Sequence, residues 1–197
     1  TSMLCVLALE KAGVTPDKGD ILVTGAAGGV GSVAIALLSK LGYRVIASSG
    51  RQETHDYLKK LGAAEVISRE ETMGKGRPFD KERWAGAVDC VGSNILAAVI
   101  AQINYGGAVA ACGLAGGNDL PTSVLPFILR SVSLLGVDSV MAPREKREEA
   151  WARLAKDLDK SLFEDMIRVE PMSNLPTLAG EILKGQVKGR VVIDVNA

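Results

Sequence analysis

The sequence has 197 residues, in which 23 Lys and Arg balance 23 Asp and Glu, and 47% of the residues are hydrophobic. This composition is typical of a folded globular protein and excludes an intrinsically disordered chain. The zero net charge argues against nucleic acid or an anionic membrane as a partner, and no apolar run reaches the roughly 18 residues that a membrane span requires.

Short apolar segments alternate with helical patterns along most of the chain. The pattern predicts strand 20–25, helix 30–41, strand 43–49, helix 53–61, strand 64–68, strand 85–91, helix 94–103, strand 107–113 and strand 132–140. Strands that alternate with helices of this length belong to crossover units, which build parallel sheets covered on both faces. The sequence therefore predicts an α/β fold with a Rossmann-type, doubly wound parallel sheet. Residues 69–80 are predicted to be a loop.

The last third of the chain has a different rhythm. Helix 142–158 is predicted to present an apolar stripe of Ala150, Trp151 and Leu154. A strand, a helix and a closing strand follow at 166–172, 174–185 and 189–195. This pattern suggests a main domain over residues 1–157, with a connecting helix within 1–15, and a separate C-terminal segment over residues 158–197.

The stretch "ILVTGAAGGVGSVAIALL" joins a predicted strand to a predicted helix through several glycines. The first N–H groups of a helix lack intrahelical partners, and glycine lets an anion approach them closely. Gly28, Gly29 and Gly31 stand at the place where a pyrophosphate would approach the backbone. Alanine replaces the first glycine of the usual G-x-G-x-x-G motif, so the strand-turn-helix context supports the prediction. A nucleoside-triphosphate loop is excluded, because no Gly-Lys-Ser/Thr follows.

The end of the next predicted strand indicates which dinucleotide would bind. NAD sites place a carboxylate there for the ribose 2′-hydroxyl, whereas a 2′-phosphate requires a cation and hydroxyl groups. The sequence reads Ser48-Ser49-Gly50-Arg51, with no carboxylate before Glu53. Ser49 and Arg51 therefore favour NADPH. The alternative is that Ser49 or Gly50 caps the next helix and that Arg51 is a solvated charge.

Metal ligands are not evident. Cys5, Cys90 and Cys112 are widely spaced, and His55 is the single histidine. We predict no metal site. Cys90 and Cys112 are interpreted as small buried core residues, and three unpaired thiols favour a cytoplasmic location.

Two enzyme families share this glycine pattern. Short-chain dehydrogenases require a catalytic Tyr with Lys four positions later, and none of the three tyrosines has one. The segments "VTGAAGGVGSVAIALLSKLGYRVIASSGR", "YLKKLGAAEVI", "AGAVDCVG", "GGAVAACGLAGG" and "KGRVVIDV" instead resemble medium-chain dehydrogenases/reductases of the zinc-free quinone oxidoreductase-like group. "TSMLCVLALEKAGVTP" and "LPFILRSVSLLGVDSVMAP" are similar to the NADPH-dependent acryloyl-CoA reductase branch.

The resemblance covers essentially the whole chain and implies further roles. It implies that the turn formed by Ala27, Gly28, Gly29, Val30 and Gly31 cradles the pyrophosphate. Val91 and Gly92 match positions beside the cofactor ribose, Leu114 and Ser139 match positions beside the nicotinamide, and Arg190 matches a basic position that reaches the cofactor from the C-terminal segment. The family begins with a substrate domain, so we expect residues 1–197 to be cut from a longer protein and residues 158–197 to return to that domain. No catalytic residue is assigned.

The resemblance implies hydride transfer from NADPH to the β-carbon of a small 2-enoyl-CoA, most plausibly acryloyl-CoA. Reduction of a quinone or an enone is an alternative, as is a nucleotide-binding module without catalysis. Strand 132–140 is apolar and would lie at a sheet edge. Such edges pair with symmetry mates, so we expect a homodimer through this strand. The other possibility is that helix 142–158 covers the edge.

Overall fold

A computed structural model describes residues 1–197. The strands are β1 (Ile21–Val23), β2 (Val45–Ser48), β3 (Glu65–Ile67), β4 (Trp84–Asp89), β5 (Ile103–Ala111), β6 (Ser133–Gly136), β7 (Ile167–Pro171) and β8 (Arg190–Asp194). The helices are α1 (Ser2–Lys11), α2 (Gly31–Lys40), α3 (His55–Lys60), α4 (Arg69–Met73), α5 (Ser93–Ala101), α6 (Leu125–Arg130), α7 (Arg144–Asp157), α8 (Phe163–Met166) and α9 (Leu175–Leu183). The predicted α/β class is confirmed.

The main sheet has six parallel strands in the order β3-β2-β1-β4-β5-β6. Strand order reverses between β1 and β4, and in such sheets ligands bind beyond the carboxyl ends of the strands at this switch point. The predicted Rossmann-type topology is therefore confirmed. This topology places the carboxyl ends of β1, β2, β4 and β5 side by side at one end of the sheet.

Two apolar cores cover the faces of the sheet. Ile21 and Val23 point into the larger core, whereas Leu22 points into the smaller one. Successive strand residues point to opposite faces, so a strand that is buried on both sides must be continuously apolar. This explains why β1 reads as an unbroken apolar run. Leu96 and Ile100 of α5 belong to the smaller core.

Helix α7 packs against α1 and α2 rather than over the edge strand β6. Arg153 donates two hydrogen bonds to Glu10 on α1, at 2.9 and 3.0 Å. Ala150 is buried, but Trp151 is 67% exposed. The predicted stripe was therefore wrong at Trp151, because a residue adjacent to Ala150 points about 100° away from it around a helix.

Two element boundaries differ from the predictions near β5 and β6. Helix α5 ends at Ala101, because β5 begins at Ile103 rather than at residue 107. Strand β6 ends at Gly136 rather than at residue 140. The Asp138 carboxylate accepts hydrogen bonds from the N–H groups of Val140 and Met141, and this turn ends the strand.

Three short helices, α4, α6 and α8, were not predicted, and α8 directly precedes β7. Helix α4 lies within residues 69–80, which were predicted to be a loop. Ser68 and Glu71 form a reciprocal capping box at its start, which stabilises so short a helix. Helix α6 lies in the segment before β6.

The C-terminal segment forms its own small sheet, in which β7 and β8 pair in parallel. The N–H group of Gly189 donates to the carbonyl oxygen of Ala27 at 2.9 Å. The C-terminal segment therefore contacts the glycine-rich turn directly. None of the helices is both long and apolar enough to cross a membrane.

Candidate functional site

The glycine-rich turn connects the end of β1 to the start of α2. Helix α2 begins at Gly31, and the Ser32 hydroxyl donates to the Gly28 carbonyl oxygen at 2.8 Å. The N–H groups of Gly29, Val30 and Gly31 have no acceptor within the protein. Unpaired N–H groups at a helix start, together with the helix dipole, favour an anion. The turn can therefore receive a phosphate group.

Gly31 is required by its backbone surroundings. A Cβ atom placed on it would lie 2.5 Å from the Gly25 carbonyl oxygen and 2.8 Å from the Ala26 Cα. Ala26 and Ala27 are buried beneath the turn. Gly31 thus allows the helix to start directly against the turn, which is the role of the last glycine in dinucleotide-binding motifs.

Ser49 and Arg51 follow β2, beside the glycine turn. The Thr54 hydroxyl donates to the Arg51 carbonyl oxygen at 2.7 Å, and the Ser49 and Thr54 hydroxyls are 2.8 Å apart. A hydroxyl has one proton, so Ser49 donates to Thr54 and accepts the Arg51 N–H. Ser49 therefore holds the turn in this arrangement. A direct contact with a phosphate would require its hydroxyl to rotate.

Arg51 is half-buried, and its guanidinium donates to the carbonyl oxygen of Val187 at 3.1 Å. One hydrogen bond leaves most of its N–H donors free. The bond also joins the end of β2 to the C-terminal segment. Arg51 is thereby held at the position where the sequence predicted a 2′-phosphate contact.

Two more arginines lie against the turns after β1 and β2. A Cβ atom placed on Gly50 would lie 3.2 Å from Cδ and Nε of Arg69, and one on Gly29 would lie 2.8 Å from Nε of Arg190. Arg190 comes from β8 and thus reaches the glycine turn from the C-terminal segment, where the resemblance placed it. Arg69 was missed by sequence reasoning. The available signal was its position just after β3, the strand beside β2.

A buried hydrogen-bond network fixes the turn after β4. The Thr24 hydroxyl donates to the Asp89 carboxylate at 2.6 Å, and the Gly92 N–H donates to its other oxygen at 2.8 Å. Burial raises the pKa of the Asp89 carboxyl, while the hydrogen bonds from Thr24 and Gly92 oppose this shift. Asp89 was also missed by sequence reasoning. It ties Val91 and Gly92 to the end of β1.

Leu114 and Ser139 lie at the carboxyl ends of β5 and β6. The Leu114 side chain is 66% exposed. The Ser139 hydroxyl accepts a hydrogen bond from the Thr1 hydroxyl at 2.7 Å. The structure therefore places the residues of the predicted site at the carboxyl ends of the parallel strands, which is where the switch point between β1 and β4 predicts a ligand.

We expect Thr24→Val to lower the free energy of unfolding by about 1–3 kcal/mol at neutral pH, because it leaves an Asp89 oxygen and the Cys90 N–H without their partner. The folded-state pKa of Asp89 lies above its ordinary value of 3.8, so ionisation of this carboxyl reduces stability as pH rises. Without the Thr24 donor that reduction becomes larger, and the deficit of the variant should shrink in acid. Urea unfolding of the variant and the wild-type protein at several pH values measures this difference in stability.

Thr24→Ser is the control, since it keeps the hydroxyl. A Thr24→Val variant as stable as Thr24→Ser, or a deficit that grows in acid, would contradict the role given to this network.

The fold and the glycine turn together define the class of domain. A parallel sheet in the order 3-2-1-4-5-6, with a glycine turn at its switch point, is a Rossmann-type domain. A family model described as "Zinc-binding dehydrogenase" matches residues 29–156. The chain belongs to this family, and its resemblance to medium-chain dehydrogenases/reductases is confirmed.

Similar proteins agree with this family. Over 196 residues the chain is 57% identical to the probable acrylyl-CoA reductase AcuI of Escherichia coli K12, covering 100% of this chain and 60% of that protein. It is 46% identical over 195 residues to the putative quinone oxidoreductase YhfP of Bacillus subtilis, and the match covers 98% of this chain and 59% of that protein. The crystal structure of E. coli K-12 YhdH with bound NADPH superposes with a TM-score of 0.97 at 57% identity, covering 100% and 60%. The chain thus spans about 60% of the length of these relatives.

The family description mentions zinc, but residues 1–197 contain no group of three or more His, Cys, Asp or Glu side chains arranged to hold a metal ion. A dinucleotide fits better. The free N–H groups of the turn and the nearby arginines suit phosphate groups, and the close packing at Gly31 suits the motif that binds them.

Proposed function

We propose that the protein is an NADPH-dependent reductase of activated alkenes, acting on a small 2-enoyl-CoA such as acryloyl-CoA, and that this chain supplies the cofactor-binding part. The observation that carries the proposal is the group of arginines around the glycine turn. Arg51 and Arg69 lie at the ends of β2 and β3, and no carboxylate follows β2 before Glu53. The similarity to acrylyl-CoA reductase AcuI supports the substrate class.

In this proposal Ala27 and Gly28 shape the glycine turn, since the Gly28 N–H donates to the Gly25 carbonyl oxygen and the Ala27 carbonyl oxygen accepts from Gly189. The N–H groups from Gly29 to Gly31 bind the pyrophosphate, and Arg190 adds a positive charge above them. Arg51 and Arg69 bind the 2′-phosphate, while Ser49 holds the loop that carries Arg51. The remaining candidate residues border the ribose and the nicotinamide, and these are Val91, Gly92, Leu114 and Ser139.

Bound NADPH would supply the hydride for the β-carbon of the alkene. This chain orients the cofactor, because the turns after β1, β2, β4 and β5 fix successive parts of it along the sheet edge. We assign no residue here to proton transfer at the α-carbon. The residues that hold the thioester belong, in this proposal, to a substrate domain that precedes residue 1, and segment 158–197 packs against that domain. The proposed location is the cytoplasm.

The assay that tests this proposal follows NADPH oxidation by the intact protein with acryloyl-CoA, and separately with a simple quinone. We expect kcat/KM to be at least about tenfold higher for acryloyl-CoA, a difference of about 1.4 kcal/mol. A preference for the quinone would favour the second candidate, which the similarity to the putative quinone oxidoreductase YhfP supports. Oxidation at background with both would favour a nucleotide-binding module without catalysis.

We further propose that the protein forms a homodimer through segment 132–140. Strand β6 is the edge of the main sheet, and Leu134 on it is 36% exposed. Val140 and Met141 beyond it are 81% and 80% exposed. An apolar edge of this kind is suited to pairing with a second copy.

Sedimentation at micromolar concentrations tests the dimer. The wild-type protein is expected to be dimeric, and Leu134→Lys is expected to shift it towards monomer because it places a charge in the paired edge. Trp151→Lys changes another exposed residue, on helix α7, which packs against α1 and α2 rather than over β6, and should leave the dimer intact. A monomeric wild-type protein, or a dimer that is unaffected by Leu134→Lys, would contradict the proposal.

A further inference from the structure

Three cysteines that are distant in the sequence meet beside the candidate site. Cys5 lies on α1, whereas Cys90 directly follows β4 and Cys112 directly follows β5. The sulfur atoms of Cys90 and Cys112 are 3.8 Å apart. Cys5 is fully buried, but Cys90 and Cys112 are both half-buried. The sequence suggested small buried core residues for Cys90 and Cys112, and both do pack against the larger core, but they are only partly buried.

Strand pairing places Cys90 and Cys112 side by side. The parallel register between β4 and β5 pairs Asp89 with Ala111, and the two cysteines are the next residues on each strand. Neighbouring strands lie about 4.8 Å apart, within the range of about 4.4–6.8 Å that disulfides span between Cα atoms. The sulfur atoms would have to approach by about 1.8 Å to reach the disulfide bond length of about 2.05 Å.

The three thiols differ in their tendency to ionise. Hydrogen bonds from Cys5, and to a smaller extent from Cys90, lower the pKa of Cys112. The contact with Cys112, together with burial, raises the pKa of Cys5 and of Cys90. When protonated, the Cys112 thiol donates to the Asp89 carbonyl oxygen at 3.4 Å. Thiolates are the nucleophilic form, so Cys112 is the reactive member of the group.

We infer that Cys90 and Cys112 are an oxidisable pair that forms a reversible disulfide on exposure to hydroperoxides. The Cys112 thiolate attacks one peroxide oxygen; an S–O bond forms, the O–O bond breaks, and water leaves after taking up a proton. The Cys90 thiol then attacks the sulfur of the Cys112 sulfenic acid; the S–S bond forms, the S–O bond breaks, and the Cys90 proton passes to the leaving hydroxyl, which departs as a second water. Two thiols are thus oxidised by two electrons, and one hydrogen peroxide is reduced to two waters.

This pair is coupled to the candidate ribose and nicotinamide residues. A Cβ atom placed on Gly113 would lie 2.5 Å from the Cys90 carbonyl oxygen, and the Gly116 N–H donates to the Val91 carbonyl oxygen at 2.7 Å. The loops after β4 and β5 are therefore packed directly against each other. Drawing the two sulfur atoms closer should displace Gly92 and Leu114, and so weaken dinucleotide binding. This consequence rests on the proposed function.

The direct test treats the intact protein with hydrogen peroxide, blocks the remaining thiols with N-ethylmaleimide and maps the peptides by mass spectrometry. The expected product is a peptide pair linked through Cys90 and Cys112, which dithiothreitol releases. Cys90→Ser should remove the link and let Cys112 proceed to sulfinic acid. Cys5→Ala should still form the link, but more slowly, because it loses the contact that contributes most to the lowered pKa of Cys112.

Several outcomes would overturn the inference. These are a link between Cys5 and Cys112, equal sulfinic acid formation at Cys112 in the wild-type protein and Cys90→Ser, or Cys90 and Cys112 that both stay reduced in peroxide.

A second titration separates this inference from the proposed function. We expect the oxidised protein to bind NADPH at least about threefold more weakly than the reduced protein, and Cys90→Ser to lose this response. If the reduced protein does not bind NADPH, the proposed function is wrong, while the peptide map still decides whether the pair forms. Equal affinities of the oxidised and reduced proteins would contradict the effect on cofactor binding.

Discussion

Gly31→Ala is expected to weaken NADPH binding at least about a hundredfold, equivalent to about 2.7 kcal/mol. The added Cβ would lie 2.5 Å from the Gly25 carbonyl oxygen and 2.9 Å from that of Ala26. Backbone atoms cannot turn aside as a side chain can, so the start of α2 must move away from the turn. That shift misplaces the three N–H groups proposed to bind the pyrophosphate. Overpacking of this kind also lowers the free energy of unfolding by about 1–3 kcal/mol.

Two other glycines provide matched controls for this prediction. Gly180 lies in α9, and a Cβ atom added there meets nothing within 4 Å. Gly180→Ala should leave binding unchanged and raise stability by up to about 1 kcal/mol. The atoms nearest to a Cβ on Gly29 belong to the flexible Arg190 side chain, so Gly29→Ala should weaken binding less than Gly31→Ala does. Calorimetry with NADPH and urea unfolding measure both effects. Binding of NADPH by Gly31→Ala within twofold of wild type would contradict the model of the turn.

Arg51→Ala and Arg69→Ala are each expected to lower NADPH affinity by at least about tenfold, or about 1.4 kcal/mol. Hydrogen bonds between charged groups contribute about 1.5–3 kcal/mol, and the proposed partner of both arginines is the 2′-phosphate. NADH lacks this phosphate, so its affinity should be nearly unchanged. Titration of each variant with both dinucleotides gives the ratio of NADPH affinity to NADH affinity, which should fall in both variants.

Arg44→Ala is the control for these two variants. Arg44 lies just before β2, at the opposite end of the strand, where it pairs with Asp20 and Glu65. Its removal should change neither affinity. If Arg51→Ala weakened NADPH and NADH equally, Arg51 would act through its bond to the Val187 carbonyl oxygen rather than through the phosphate. If Arg69→Ala had no effect, the 2′-phosphate site would not include Arg69.

The fold was predictable because its strongest signals are local. Apolar runs such as the one that contains β1 are long enough to mark buried strands, and the glycine turn marks the junction of β1 with α2. Helices α4, α6 and α8 were missed because four to six residues do not establish a helical period. Trp151 was misplaced because periodicity gives the apolar face of α7 but not its exact limits.

The candidate site was predictable only in part. The glycine turn, Ser49 and Arg51 follow one another along the chain, so a single stretch of sequence contains them. Arg69 and Asp89 lie at the site because of the order of strands in the sheet, and that order cannot be read from a single sequence. The contact between Cys90 and Cys112 depends on the β4–β5 register in the same way.

The central claim is that the protein holds NADPH through its 2′-phosphate and its pyrophosphate. Calorimetric titration of the intact protein with NADPH, and separately with NADH, tests it most directly. We predict that NADPH binds at least about tenfold more tightly, a difference of about 1.4 kcal/mol. Equal affinities would contradict the role of the arginines, and an absence of NADPH binding would contradict the assignment of the glycine turn.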